Sequence, residues 1–169
     1  SFGADIIGAT ALAGPWFAKV AGIDVTAVPY KIVAQMQTDA VSGATQMVVN
    51  SIANIDTFRK AGKLRVIAVT SAQRYPAFPE IPTVAETLPG FKVVGVGIMA
   101  TTVGTPTDIV RRVNQEVDRF VKLPEYTQRL LGVGLTSSGA GTSQSIAEFI
   151  RNEREIWGAI IKGMNVQPQ

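Results

Sequence analysis

The chain has 169 residues, enough for one ordinary domain, and carries 16 Lys and Arg against 13 Asp and Glu, a net charge of +3. Charged residues make up only 17% of it, below the usual figure of about 25%, and no basic stripe interleaved with aromatics marks a nucleic-acid binder. With no His and no Cys, it cannot build a Ser-His-Asp triad, a Cys nucleophile, a usual zinc site, an iron–sulfur centre or a disulfide.

Taken in order, Ala11 to Val20 reads as an apolar helix, with Gly22 as its C′ residue. Val25 to Val28 is a short β-branched run ended by Pro29. Ile32 to Val41 puts Ile32, Val33, Met36 and Ala40 on one helical face and stops at Ser42-Gly43. Met47 to Val49 reads as a buried strand ending at Asn50. Ser51 can cap a helix to Lys60 with Ile52, Ile55 and Phe58 inward. Leu64 to Thr70 gives the clearest strand pattern. From Ser71 to Gly90 the chain is irregular, with four prolines, but has Tyr75, Phe78, Ile81, Val84 and Leu88 to bury.

Phe91 to Thr101 reads as a second long strand, with Gly95 and Gly97 marking a bend or close backbone approach. Thr105-Pro106-Thr107-Asp108 predicts a helix start, with Thr105 as cap and Pro at the first position. That helix runs to Lys122. Pro124 opens a shorter helix to about Leu131, Leu135 begins a further strand, and Thr142 or Ser143 caps a last helix with Phe149, Ile150, Trp157, Ile160 and Ile161 on one face. Strand–helix alternation predicts an α/β fold with a mainly parallel sheet. No run approaches the roughly 18 apolar residues that span a bilayer, so the chain is not expected to insert in a membrane. The start Ser1-Phe2-Gly3-Ala4 has no basic n-region, and no signal peptide is expected within the chain.

Few residues suggest chemistry. Glu148, Glu153 and Glu155 share the last helix with Arg151 and Arg154, the pattern of a solvated face with i,i+3 and i,i+4 pairs rather than an acid/base couple. Gly3, Gly8 and Gly14 match neither G-x-G-x-x-G nor the P-loop pattern. Lys31 reads as a surface lysine. What remains is small polar residues at strand ends: the Gly8-Ala9-Thr10 turn, Asn50-Ser51 and Thr70. In an open α/β sheet ligands collect at the carboxyl ends of the strands, and helix N-termini there favour anions. Capping alone would also account for Thr10 and Ser51. The site such residues would make is a cradle for a carboxylate.

Several motifs then carry a resemblance. Val28-Pro29-Tyr30-Lys31, the segment from Ala61 to Ser71, the segment from Pro79 to Glu86, Gly104-Thr105-Pro106, and Trp157-Gly158 resemble the Bug/TctC family, the extracytoplasmic solute-binding proteins of tripartite tricarboxylate transporters. Order and spacing agree from Ser1 to about Val166. Departures include Ile32, Ser42-Gly43-Ala44, Ala11, Pro15-Trp16, and Asn50 where the family usually has Asp.

The resemblance implies a two-lobed fold of the type II periplasmic-binding kind. Residues 1–101 would be its second lobe. Residues 102–169 would be a helical segment returning toward a first lobe that this chain does not hold. It further implies a periplasmic protein without catalysis or cofactor, which binds a small carboxylate and delivers it to membrane transporter subunits. The ligand loop falls on Ser1 to Thr10, and the ligand-binding set is Gly8, Ala9, Thr10, Asn50, Ser51 and Thr70. The alternatives are an enzyme or ligand-sensing regulatory domain on a related sheet, or an inactive folded fragment. Apolar faces on the last helices predict a dimer or assembly with a separate first-lobe chain.

Overall fold

Three short parallel strands organise the first part of the computed structural model, which describes residues 1–6, 8–137 and 139–164. Ile7, inside the expected ligand loop, and Val166, the expected end of the resemblance, lie outside the described residues. The chain divides into two units, Ser1–Val96 and Gly97–Gln169.

In the first unit, strand β1 (Phe2–Asp5) leads to helix α1 (Gly8–Ala21), then β2 (Ala27–Tyr30), α2 (Val33–Ser42), β3 (Met47–Val48) and α3 (Ile52–Lys60). The sheet order is β2-β1-β3, all parallel. Phe2 lies opposite Ala27 on one side and Met47 on the other. As the central strand, β1 is covered on both faces, and Phe2, Gly3 and Ala4 are all buried. Its side chains alternate: the ring of Phe2 packs against Gly14 of α1, and Gly3 faces Met36 of α2. The two helices therefore sandwich β1 from opposite sides.

Helix α1 starts at Gly8, three residues before the expected Ala11, and continues through Pro15. Gly22 closes it in the left-handed region, with φ +65. Its N–H donates to the Lys19 carbonyl, and that of Ile23 to the Ala18 carbonyl.

The strand expected at Leu64 to Thr70 does not form a ladder. Exposure does alternate from Leu64 to Ile67, but only Val69 pairs, as a single parallel bridge to Thr83. The strand expected from Phe91 to Thr101 is also absent. Val93 donates its N–H to the Thr70 carbonyl at 2.8 Å and accepts the Thr70 hydroxyl at 2.8 Å, and no ladder continues beyond it. Alternation fixes which side chains face inward; a strand needs a neighbour along its whole length for its backbone groups as well, and among the described residues these segments find one only around Val69 and Val93. Leu135 likewise begins no strand. Conversely β1, four residues without a clear period, escaped the sequence reading.

The proline-rich segment is held by local bonds. Thr83 and Glu86 form a reciprocal capping box around the 3-10 turn Val84–Glu86. Arg74 pairs with Glu86 at 2.6 Å and donates to the Pro79 carbonyl at 3.0 Å. Phe91 stacks on Trp16 of α1 with centroids 4.6 Å apart, and Arg59 of α3 lies 4.4 Å over the ring of Phe78.

The second unit contains α4 (Thr107–Val121), α5 (Pro124–Gly132) and α6 (Ser143–Met164). Pro106, expected at the first helical position, occupies the N-cap of α4 instead, while the Thr105 hydroxyl donates to the Thr102 carbonyl. Asp118 accepts the Ala140 N–H at 2.9 Å and Asn114 donates to the Gly141 carbonyl at 2.9 Å, tying the loop before α6 to α4. Every buried core residue lies between Phe2 and Val93, and no described residue from 97 to 164 is buried. Along α4, Ile109, Val113 and Phe120 are each about half exposed. No helix among the described residues is long and apolar enough to cross a membrane.

Candidate functional site

With β1 between β2 and β3, the chain leaves β1 for one neighbour and later returns to its other side. In a doubly wound sheet that reversal opens a crevice at the carboxyl ends of the two strands it separates. Here those are β1 and β3, and the residues just past them are Asp5, Gly8, Ala9 and Thr10 on one side, Asn50 and Ser51 on the other. The N–H of Val49 donates to the Gly3 carbonyl at 3.3 Å, carrying the register to the edge of the crevice.

On the β3 side, Asn50 is oriented by its own neighbours. Its Oδ1 accepts the Ser51 N–H at 2.7 Å and the Asn54 Nδ2 at 2.9 Å. That assigns both amide hydrogens to Nδ2, which is buried and has no partner among the described residues. A buried unmatched donor costs free energy unless something accepts from it. Ser51 sits at the N-cap of α3 with extended backbone, but its side chain makes no capping bond.

On the β1 side, Gly8 opens α1 with φ +80 and open space where a Cβ would stand. Ala9 follows it in the first turn, whose leading N–H groups have no i−4 acceptor within the helix. The Thr10 hydroxyl donates to Asp5 Oδ2 at 2.7 Å. Its proton is thereby committed, and toward the crevice Thr10 retains only acceptor capacity. Asp5 was not among the residues singled out from sequence. Its spacing, five residues before a hydroxyl on the first turn of the next helix, is visible in the sequence, but the strand that it closes is not.

Thr70 is arranged differently. No strand carries it to this edge, and both its hydroxyl and its carbonyl engage Val93. Beyond β2, Lys31 is exposed, and no ion pair joins it to Asp5. Tyr30, opposite Asp5 in the β1–β2 register, donates to Asp39 Oδ2 at 2.7 Å. That bond, with some burial and the Asp39 charge, raises the phenol above its ordinary pKa. A surface depression of about 590 Å³ belongs to the second unit and is lined by Asn114, Asp118, Arg119 and Thr142 among others. It is wide open; its Asn114 and Asp118 are engaged by the bonds that hold the α6 loop, and its Arg119 by the pair with Glu116. Among the described residues no group of three His, Cys, Asp or Glu could hold a metal ion.

Comparison with known proteins agrees with this architecture. A family model described as tripartite tricarboxylate transporter family receptor, TctC, matches residues 1–166. The UPF0065 protein in the clcB-clcD intergenic region of Pseudomonas knackmussii is 34% identical over 152 residues, 89% of this chain and 89% of that protein. Other curated relatives are longer, and the matches take in 36% to 47% of their length. Among solved structures, R. palustris Rpa4515 with adipate superposes with a TM-score of 0.81 at 28% identity, over 100% of this chain and 57% of that one. The periplasmic binding protein BugD superposes with a TM-score of 0.74 at 21% identity, over 99% of this chain and 58% of that one. The chain thus spans little more than half of either solved protein.

Proposed function

The chain belongs to the tripartite tricarboxylate transporter receptor family, whose model covers residues 1–166, and from that premise we propose that it holds a small carboxylate for delivery to a transporter of that type. Its fold is the mixed α/β, parallel-sheet fold of the family's periplasmic binding proteins. Residues 1–101 act as the second lobe of a two-lobed binding protein working in the bacterial periplasm, and residues 102–169 as the segment that returns toward the first lobe. That first lobe lies outside residues 1–169, and it or a second copy of the chain packs against the returning segment. Either would cover the half-exposed stripe of Ile109, Val113 and Phe120 on α4.

One observation carries the reading: the buried, unmatched Nδ2 of Asn50 at the β1/β3 crevice. A carboxylate oxygen accepting from it would satisfy that donor, aided by the N-terminal N–H groups of α1 and α3. Gly8, Ala9, Thr10, Asn50 and Ser51 form this lobe's share of the site. Thr70 supports it by fastening the segment around Val93. Rpa4515, solved with adipate, supplies the first probe. In thermal denaturation, adipate, succinate and glutarate should raise the midpoint of this chain in a concentration-dependent way, because a ligand stabilises the state it binds. Turnover of a substrate with no response to any carboxylate would refute the proposal.

A further inference from the structure

The crevice is polar in two opposite senses. On the β3 side, Asn50 is locked with its donor nitrogen unmatched, because its oxygen already accepts from Ser51 and Asn54. On the β1 side both side-chain groups are acceptors. Asp5 is a partly exposed carboxylate at the carboxyl end of the central strand. Thr10 has given it the only hydroxyl proton available, at 2.7 Å. Among the described residues no cation answers that carboxylate: Lys31, one residue past the end of β2, makes no ion pair with it. A ligand that is anionic at both ends would set one charge against Asp5, in a crevice whose walls screen charge less than bulk water does.

We infer that the ligand of this site carries a protonated amine as well as a carboxylate, the amine facing Asp5 and Thr10 and the carboxylate taking the Asn50 amide. This rests on the carboxylate-binding reading above and narrows it to amino acids and other amino-carboxylates, in place of plain dicarboxylates. An ammonium supplies three donors. One can go to Asp5 as a charge-assisted hydrogen bond and another to the open lone pairs of Thr10. A dicarboxylate offers neither side chain a hydrogen.

Adipate and 6-aminohexanoate form a matched pair: nearly equal length, one carboxylate in common, and a carboxylate or an ammonium at the far end. Titration calorimetry of the full chain with both should show 6-aminohexanoate binding about tenfold tighter than adipate, the scale of one charge-assisted hydrogen bond gained. Asp5→Asn keeps an oxygen to accept from Thr10 and removes only the charge. In that variant, with its melting curve unchanged, the preference should fall to within about twofold. Adipate binding as tightly as 6-aminohexanoate to the unaltered chain, or a preference that survives Asp5→Asn, overturns the inference while leaving the carboxylate reading intact. No heat from either probe, nor from succinate or glutarate, overturns both.

Discussion

The ring of Phe2 occupies the place a Cβ on Gly14 would need: such an atom would lie 2.0 Å from Phe2 Cε2 and 2.6 Å from Cζ. Gly14 is buried in the middle of α1 and Phe2 is almost wholly buried in β1. The strand and helix therefore approach more closely than any side chain at position 14 permits. In an exposed helix Gly→Ala would gain about 1 kcal/mol from propensity. Here the overpacking cost of about 1–3 kcal/mol outweighs that gain. Gly14→Ala should lower the urea midpoint, and a raised midpoint would show that the two elements can separate without loss.

Asn50→Asp tests where the ligand sits. The carboxylate would still accept from Ser51 and Asn54, the two bonds that orient the side chain, but it would lose the donor and add a negative charge. A charged oxygen in the buried, unpartnered place of Nδ2 should lower stability, and carboxylate affinity, measured where the variant is folded, should fall about tenfold or more. Unchanged affinity in titration calorimetry would place the ligand elsewhere.

Thr70→Val asks a complementary question. Its hydroxyl bond to the Val93 carbonyl would be lost, leaving that acceptor unmatched at a cost of about 1–2 kcal/mol. Stability should fall, and hydrogen exchange should quicken at the Val93 N–H, which is bonded to the Thr70 carbonyl. Lost carboxylate affinity without lost stability would instead make Thr70 a direct ligand contact.

The Arg74 guanidinium, followed by the Thr83 N–H, holds the Glu86 carboxyl down from its ordinary 4.5 to about 2. A carboxyl whose pKa is lower in the folded than in the unfolded state favours folding wherever it is ionised in both. Its contribution is therefore complete above about pH 4.5 and fades as pH falls toward 2. Urea midpoints measured across that window should fall less steeply for Glu86→Gln than for the unaltered chain. Parallel curves would show that Glu86 does not set the slope.

The exposed stripe on α4 gives the last expectation. Sedimentation should report a mass above 17.9 kDa, or a heavier complex once a first-lobe polypeptide is supplied, and replacing Ile109 and Val113 together by Glu should abolish the association. A compact monomer with α4 and α6 both protected from hydrogen exchange would refute it.

How far the sequence could be read depended on where each element finds its partners. Helices α2, α3 and α5 came within a residue or two of their expected limits, since a helix satisfies its backbone internally and announces its buried face by period. The first helix began early because Gly8 serves as its opening residue, something apolar spacing from Ala11 onward does not reveal. Leu64 to Thr70 and Phe91 to Thr101 had the composition and alternation of strands, yet pairing depends on a neighbour, and alternation cannot supply one. In the crevice, Asn50 and Thr10 stood out as strand-end polar residues. Asp5 did not, because β1 has too few residues to show a period, and without β1 its last residue had no visible position. Gly14, weighed as a phosphate-loop glycine, proves to be a packing glycine, a difference that depends wholly on the ring of Phe2.

Among the three described strands of the sheet the middle one precedes its neighbours in sequence, and this sets an order of events for the growing polypeptide. Phe2 through Asp5 leave the ribosome before their partners at Ala27 and at Met47 are made. Until then an apolar strand with two unsatisfied edges is waiting. Synthesis speed through the α1 and α2 coding region would therefore govern how long that strand stays open to other chains. Slowing translation before Met47 should raise the yield of aggregated nascent protein more than slowing it after Lys60.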